Sequence, residues 1–221
     1  IVVGPEVPLA EGIVDELSTE TRLVFGPSKD GARIESDKSY AKELMRQASI
    51  PTADSRTFTD IHSAQHYLLR GLDSELENEN LKELSEEVSN YMDFCNSTEK
   101  QEEFQISDEL QSFLAQREEP FVVKASGLAA GKGVIVCNNI GEAFKAVTHV
   151  MEDKAFGDAG NTILIEEFMS GLEVSVLALV DGETIWVLDL CQDHKQVGEG
   201  DEGPNTGGMG AYSPTPLSTP K

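Results

Sequence analysis

The densest chemistry in the sequence lies in Val122-Val123-Lys124-Ala125-Ser126-Gly127-Leu128-Ala129-Ala130-Gly131-Lys132-Gly133-Val134. A lysine ends one apolar run, small residues follow, and a second apolar run begins. Glycines allow close backbone approach, and exposed N–H groups beside a fixed ammonium suit phosphate oxygens. Spacing excludes a Walker A loop, which needs four residues between its first Gly and Gly-Lys, then Ser or Thr. Here Leu128, Ala129 and Ala130 intervene, and Gly133 follows Lys132. The chain also returns to a strand at 134–137 instead of opening a helix. This is a strand–loop–strand hairpin. Taken alone, it leaves two readings open: a cover over phosphates, or a flexible turn with a surface lysine.

A second group follows an apolar strand: Glu166-Glu167-Phe168-Met169, leading to Gly171-Leu172-Glu173. Such a segment can offer alternating carbonyl and N–H groups to an adenine edge, and Glu173 could take ribose hydroxyls. In isolation Glu166 and Glu167 read as polar strand-end residues. His62 and His66 have the i, i+4 spacing of a zinc helix, but Ser63 stands where H-E-x-x-H needs Glu, so they read as surface histidines. His149 reads as structural and Trp186 as core. His194, between Asp193 and Lys195, could serve a site or merely order its loop.

The elements that must position these groups alternate in type. Residues 1–3 read as a buried strand, 9–17 as a helix and 23–25 as a strand, the pattern of a parallel α/β unit. Ser36 or Asp37 can cap a helix over 38–49, ended by Ile50-Pro51. A helix covers about 60–70. From 71 to 117 acids greatly outnumber bases and apolar residues recur at helical spacing, which predicts acidic amphipathic helices forming a solvated peripheral insertion. Strands are expected over 121–124, 134–137, 162–168, 173–180 and 183–190, the last two paired across Asp181-Gly182. A helix spans 140–151. Residues 192–213 form a long Gly-rich loop, a length that is usually functional or disordered.

Composition sets the outer limits. The 221 residues are 39% apolar and 26% charged, as in a globular domain, with a formal net charge of −23. That charge argues against a nucleic-acid partner, so any phosphate site must be built locally from a few lysines and backbone amides. No apolar run approaches the roughly 20 residues of a membrane helix. Cys95, Cys137 and Cys191 show no C-x-x-C spacing, which suits a reduced, cytoplasmic setting without structural zinc or disulfides. No signal peptide is read, and both ends look like cuts through a longer chain.

Taken with Lys38, the hairpin and the 166–173 segment resemble the ATP-grasp arrangement. The likeness extends to Gly4-Pro5-Glu6, Phe25-Gly26-Pro27, Ser36-Asp37-Lys38, Ile50-Pro51-Thr52-Ala53, Phe156-Gly157-Asp158-Ala159-Gly160, Gln192-Asp193-His194-Lys195 and Gly203-Pro204-Asn205-Thr206-Gly207-Gly208-Met209-Gly210-Ala211-Tyr212-Ser213-Pro214. These motifs are similar to those of the phosphoribosylamine–glycine ligase family, over nearly the whole chain except roughly 71–117. The sequence departs from the family by lacking its first Gly-rich strand-loop, by Ser126 where Asp is usual, and by the acidic stretch in place of a short connection. The resemblance implies an α/β (α+β) ATP-grasp fold over 36–221, preceded by the end of a parallel α/β N-terminal domain over 1–35. A lid subdomain would span about 120–190. It also implies ATP-dependent joining of glycine to 5-phosphoribosylamine through a glycyl phosphate, with Mg2+ or Mn2+ whose Glu and Asn ligands are expected beyond Lys221. The alternatives are another ATP-grasp carboxylate–amine ligase, or an ATP-binding piece without activity of its own.

Residue roles are carried over on the same basis. Lys38, Lys124, Gly127, Gly131, Lys132 and Gly133 are expected at the ATP phosphates. Glu166, Glu167, Phe168 and Met169 are expected at adenine, and Glu173 at ribose. Gly4, Pro5 and Glu6 would sit by the phosphoribosyl end. Asp193, His194, Lys195, Pro204, Asn205, Thr206, Gly207, Gly208 and Met209 would shape the acceptor pocket. No side chain is required as a general base, and a monomer with small-molecule partners is expected.

Overall fold

A computed structural model describes residues 1–78, 81–97, 104–129, 131–200, 203, 206 and 208–217. It divides into two compact units, 1–168 and 169–221.

The first unit opens with a parallel bridge between Val2 and Phe25 in place of a full strand pair. The strand at 1–3 was expected to be buried, yet Val2 is 78% exposed. The expected helix over 9–17 appears as α1 (Glu6–Glu11) and α2 (Ile13–Leu17), broken at Gly12, whose φ of 93° is a left-handed conformation that favours glycine. Helix α3 (Lys29–Ser36) had no forecast; Ser28 caps it by accepting from the Gly31 N–H. Helix α4 (Lys38–Gln47) is capped by Asp37, which accepts from the Tyr40 N–H.

Strand β1 (Ser55–Phe58) leads to α5 (Ile61–Leu69), then to α6 (Leu72–Asn78), α7 (Lys82–Asn96) and α8 (Asp108–Gln116). Strands β2 (Phe121–Ala125) and β3 (Val134–Cys137) form the hairpin, followed by α9 (Ile140–Met151) and β4 (Ile163–Glu167). Among the described residues these strands make a four-stranded antiparallel sheet in the order β1-β4-β2-β3. Val123, Ile163 and Ile165, all within 1% of full burial, turn to the helical layer.

The acidic stretch is not the solvated periphery that its charge suggested. Leu76, Val88, Leu110 and Leu114 are fully buried, in one core with Val123, Cys137, Val147 and Val150. Each acidic helix turns one apolar stripe inward, and area removed from water outweighs the charge on the other face. Some of the acids also tie the layer together. Glu87 accepts from the N–H and hydroxyl of Ser107, the cap of α8, and Glu75 pairs with Arg117. Inside the layer the buried Tyr91 hydroxyl donates to Gln65 Oε1 at 2.6 Å, and the Gln65 amide donates to Thr148 Oγ1 at 3.1 Å. His62 stands edge-on to Phe94 with ring centres 5.2 Å apart, so it is a packing residue more than a surface one.

The second unit contains the antiparallel pair β5 (Ala178–Val180) and β6 (Ile185–Val187), shorter than expected. Asp181 closes their turn by accepting from the N–H groups of Glu183 and Thr184. Trp186 was expected in a core but is 68% exposed, because all six residues of this pair face solvent. The Gly-rich segment is bracketed by β7 (Gln192–Asp193) and β8 (Ala211–Tyr212), which pair antiparallel.

Candidate functional site

The first unit pairs two lysines with one carboxylate and sets a third lysine nearby. Glu166, next to last in β4, is only 4% exposed. Its Oε2 lies 2.9 Å from Lys124 Nζ, at the end of β2, and its Oε1 lies 3.4 Å from Lys42 Nζ on α4. Sheet register explains the first contact. Val122 faces Glu166 across the β2–β4 ladder, and Lys124 lies two residues along on the same face. Lys38 and Lys42 are i, i+4 on α4 and so share one helix face. Lys38 Nζ donates to the Gly127 carbonyl at 3.2 Å. Burial lowers the Lys38 pKa most; Glu35 and Glu166 oppose this, and the neighbouring Lys124 charge adds to it.

A polar join fixes α4 to the hairpin. The Lys38 N–H donates to the Ser126 carbonyl, and the Ser39 N–H donates to Ser126 Oγ, both at 3.0 Å. Ser126 Oγ in turn donates to Asp37 Oδ1 at 3.1 Å. Burial pushes the Asp37 carboxyl up, but hydrogen bonds from Ser39, the Tyr40 N–H, Arg33 and Ser126 outweigh it and bring its pKa down to about 2.

The glycines of the hairpin loop have different tasks. Gly131 has φ of 73°, which favours glycine. Gly127 is required by packing: a Cβ there would lie 2.8 Å from Ala159 Cα, in the 3-10 turn Gly157–Gly160, and its N–H already bonds to the Ala159 carbonyl at 3.1 Å. A Cβ on Gly133 would meet the Ala129 side chain at 2.7 Å. Lys132 is exposed on the loop.

The expected adenine segment divides. The Glu166 side chain is committed to the two lysines. Glu167 is tied to the start of β1, accepting from the Asp54 N–H at 2.8 Å and donating its own N–H to the Asp54 carbonyl at 3.0 Å. Phe168 is 44% exposed. Gly4, Pro5 and Glu6 form the exposed entry to α1.

In the second unit Met169 is 66% exposed, and a cavity of about 930 Å³ is lined by Glu173, Asp193, His194, Lys195, Thr206, Met209 and Tyr212, among others. Lys195 Nζ lies 3.1 Å from both Glu173 Oε2 and Asp193 Oδ1. Burial alone would lower its pKa, but hydrogen bonds to Glu173 and Asp193 prevail and raise it. His194 donates its N–H to the Gly210 carbonyl at 2.9 Å, and its carbonyl accepts from Thr206 Oγ1. The Gly208 N–H also bonds to Thr206 Oγ1, at 3.2 Å. Pro204, Asn205 and Gly207 lie outside the described residues.

Sequence reasoning missed Lys42, Thr52 and the Ser126 join. A signal for Lys42 was present in its i, i+4 spacing from Lys38. Among the described residues no group of three or more His, Cys, Asp or Glu is placed to hold a metal ion. No helix among the described residues is long and apolar enough to cross a membrane.

Comparison with known proteins identifies the family. Residues 82–221 match the phosphoribosylglycinamide synthetase ATP-grasp (A) domain, and residues 1–35 match the N domain of the same synthetase. Phosphoribosylamine–glycine ligase of Nostoc sp. is 42% identical over 100% of this chain and 41% of its own length. The trifunctional purine biosynthetic protein adenosine-3 of Gallus gallus is 44% identical over 98% of this chain and 17% of its own. The crystal structure of phosphoribosylamine–glycine ligase from Thermotoga maritima superposes with a TM-score of 0.60 at 28% identity, over 93% of this chain and 40% of that one. The chain thus spans about two-fifths of the length of single-function relatives. By a family match that takes in α7, α8, the hairpin, β4 and the Gly-rich segment, the chain belongs to the phosphoribosylglycinamide synthetase family, with an ATP-grasp fold.

Proposed function

We propose that the chain is the nucleotide-binding part of a ligase that converts ATP, glycine and 5-phosphoribosylamine into glycinamide ribonucleotide, ADP and phosphate. The observation that carries this reading is the cation cluster of Lys38, Lys42 and Lys124 beneath a glycine-rich hairpin, in a chain of net charge −23. Such a local excess of positive charge suits an anion with several phosphates.

In this reading the glycine carboxylate oxygen attacks the γ-phosphorus of ATP, and ADP leaves. The amine of phosphoribosylamine then attacks the acyl carbon, the C–O bond to phosphate breaks, and the amine loses a proton. Lys38 and Lys124 neutralise the phosphates, while Gly127, Gly131, Lys132 and Gly133 cover them. Binding and orientation do most of the work in such transfers. Glu167, Phe168 and Met169 are assigned to adenine, and Glu173 to the ribose. Glu166 takes part through its backbone, with its side chain holding lysines. Asp193, His194, Lys195, Thr206, Gly208 and Met209 are assigned to the acceptor pocket, as are Pro204, Asn205 and Gly207, which lie outside the described residues. Gly4, Pro5 and Glu6 are assigned to the phosphoribosyl end. The domain division at 35/36, a monomeric state, a cytoplasmic setting and the absence of nucleic-acid partners belong to the same proposal. So does a magnesium or manganese ion, which when bound would offset phosphate charge.

Calorimetry and turnover test the reading. Lys124→Ala should weaken ATP binding by about 1.5–3 kcal/mol, the range for a hydrogen bond to a charged group. Full-length protein should release ADP only when glycine and phosphoribosylamine are both present. Release with a different carboxylate–amine pair would refute the substrates and leave the fold reading intact.

A further inference from the structure

Lys42 is a buried cation that the proposed reaction does not use. Its side chain is 8% exposed, and its Nζ donates to Thr52 Oγ1 at 2.8 Å and to the Ala53 carbonyl at 3.0 Å, with Glu166 Oε1 at 3.4 Å as the third acceptor. An ammonium group has three donors, so none is left for a ligand. Lys124 differs: its side chain is 28% exposed, and among the described residues it donates to Glu166, which leaves donors for a ligand.

We infer that Lys42 is a positioning residue that acts through the buried Glu166 carboxylate to hold Lys124 in place with charge to spare for the phosphates. A buried carboxylate must be paired. With Lys42 on one oxygen, Glu166 is already neutralised before Lys124 approaches the other. Without Lys42, Glu166 would draw Lys124 into a closed one-to-one pair and cancel the charge meant for the nucleotide. The three side chains together carry one surplus positive charge only while Lys42 is present. The inference rests on the ATP reading above and adds a residue that never touches ATP.

Calorimetry on the full-length protein, with ATP and with adenosine as ligands, tests it. Lys42→Gln should weaken ATP binding about tenfold, the lower end of the effect of losing a charged partner, and leave adenosine within about twofold. Lys42→Arg should restore ATP binding to within about threefold, because the charge returns. Losses for Lys42→Gln and Lys124→Ala should not add in the double variant, since both act through the same Lys124 ammonium. Equal weakening of adenosine, or additive losses, would overturn the inference in favour of a purely structural lysine. Should Lys42→Gln fail to fold, ammonium NMR of the unaltered protein decides: on ATP addition the Lys124 signal should move and the Lys42 signal stay. A larger shift at Lys42 would make it a direct ligand and overturn the inference. If Lys124→Ala weakens ATP and Lys42→Gln does not, only this inference fails. If Lys124→Ala has no effect, the nucleotide reading fails with it.

Discussion

Asp37 accepts from the Tyr40 N–H at 3.1 Å, from Ser39 Oγ at 2.6 Å, from Ser126 Oγ at 3.1 Å and from Arg33 Nη2 at 3.2 Å. Its carboxyl titrates at about 2 instead of 3.8, so its contribution to stability is complete above pH 3.8 and is lost as pH falls through about 2. Asp37→Ala should destabilise the fold by about 1 kcal/mol at neutral pH, the usual cost of a lost helix cap. The gap from the unaltered protein should narrow between about pH 4 and pH 2, read by denaturant unfolding at each pH. Gly127 makes a second residue-scale case. A methyl group there would press on backbone of the 3-10 turn, so Gly127→Ala should cost about 1–3 kcal/mol in the same measurement. An unchanged midpoint would mean that the turn yields freely.

Among the elements, α6, α7 and α8 reverse a natural expectation. Their acids suggest a dispensable surface module, yet Leu76, Val88, Leu110 and Leu114 are fully buried. Leu110→Ala should cost about 2–5 kcal/mol. Replacing 72–117 by a Gly/Ser linker should abolish the cooperative thermal transition; a retained transition would restore the peripheral view. The apolar spacing was legible and gave the helices, but net charge says nothing about where an apolar stripe is buried. The hairpin was legible because small residues between two β-rich runs have few other uses. Strand β1 was hidden because Ser55-Arg56-Thr57-Phe58 carries no apolar alternation and pairs only through the ladder to β4. Lys124 could be read from its loop, whereas the only sign of Lys42 was its spacing from Lys38, which does not say that helix α4 turns it inward.

At the scale of the molecule, the two units differ in how much they bury. Strand β4 has Ile163, Leu164 and Ile165 within 1% of full burial, while every residue of β5 and β6 is exposed. Backbone hydrogen bonds exposed to water open at low cost. Amide exchange should therefore be far slower at 163–165 than at 178–180 and 185–187, as read by exchange followed with mass spectrometry. Equal protection would show that this pair is covered in solution. The charge of −23 acts at the same scale. It repels polyanions at a distance, so in the proposed role the lysine cluster would act at short range, where a pairing survives salt better than a long-range field.

The bonds from Ser126 to the Lys38 and Ser39 N–H groups have a thermodynamic consequence for recognition. They make the start of α4 and the end of β2 a single rigid frame, with Lys38 and Lys124 mounted on it. Ordering a backbone costs about 1–2 kcal/mol per residue in entropy, and here folding has already met that cost. An anion arriving between the two ammonium groups has only side chains to still, so little of its binding energy is lost to disorder.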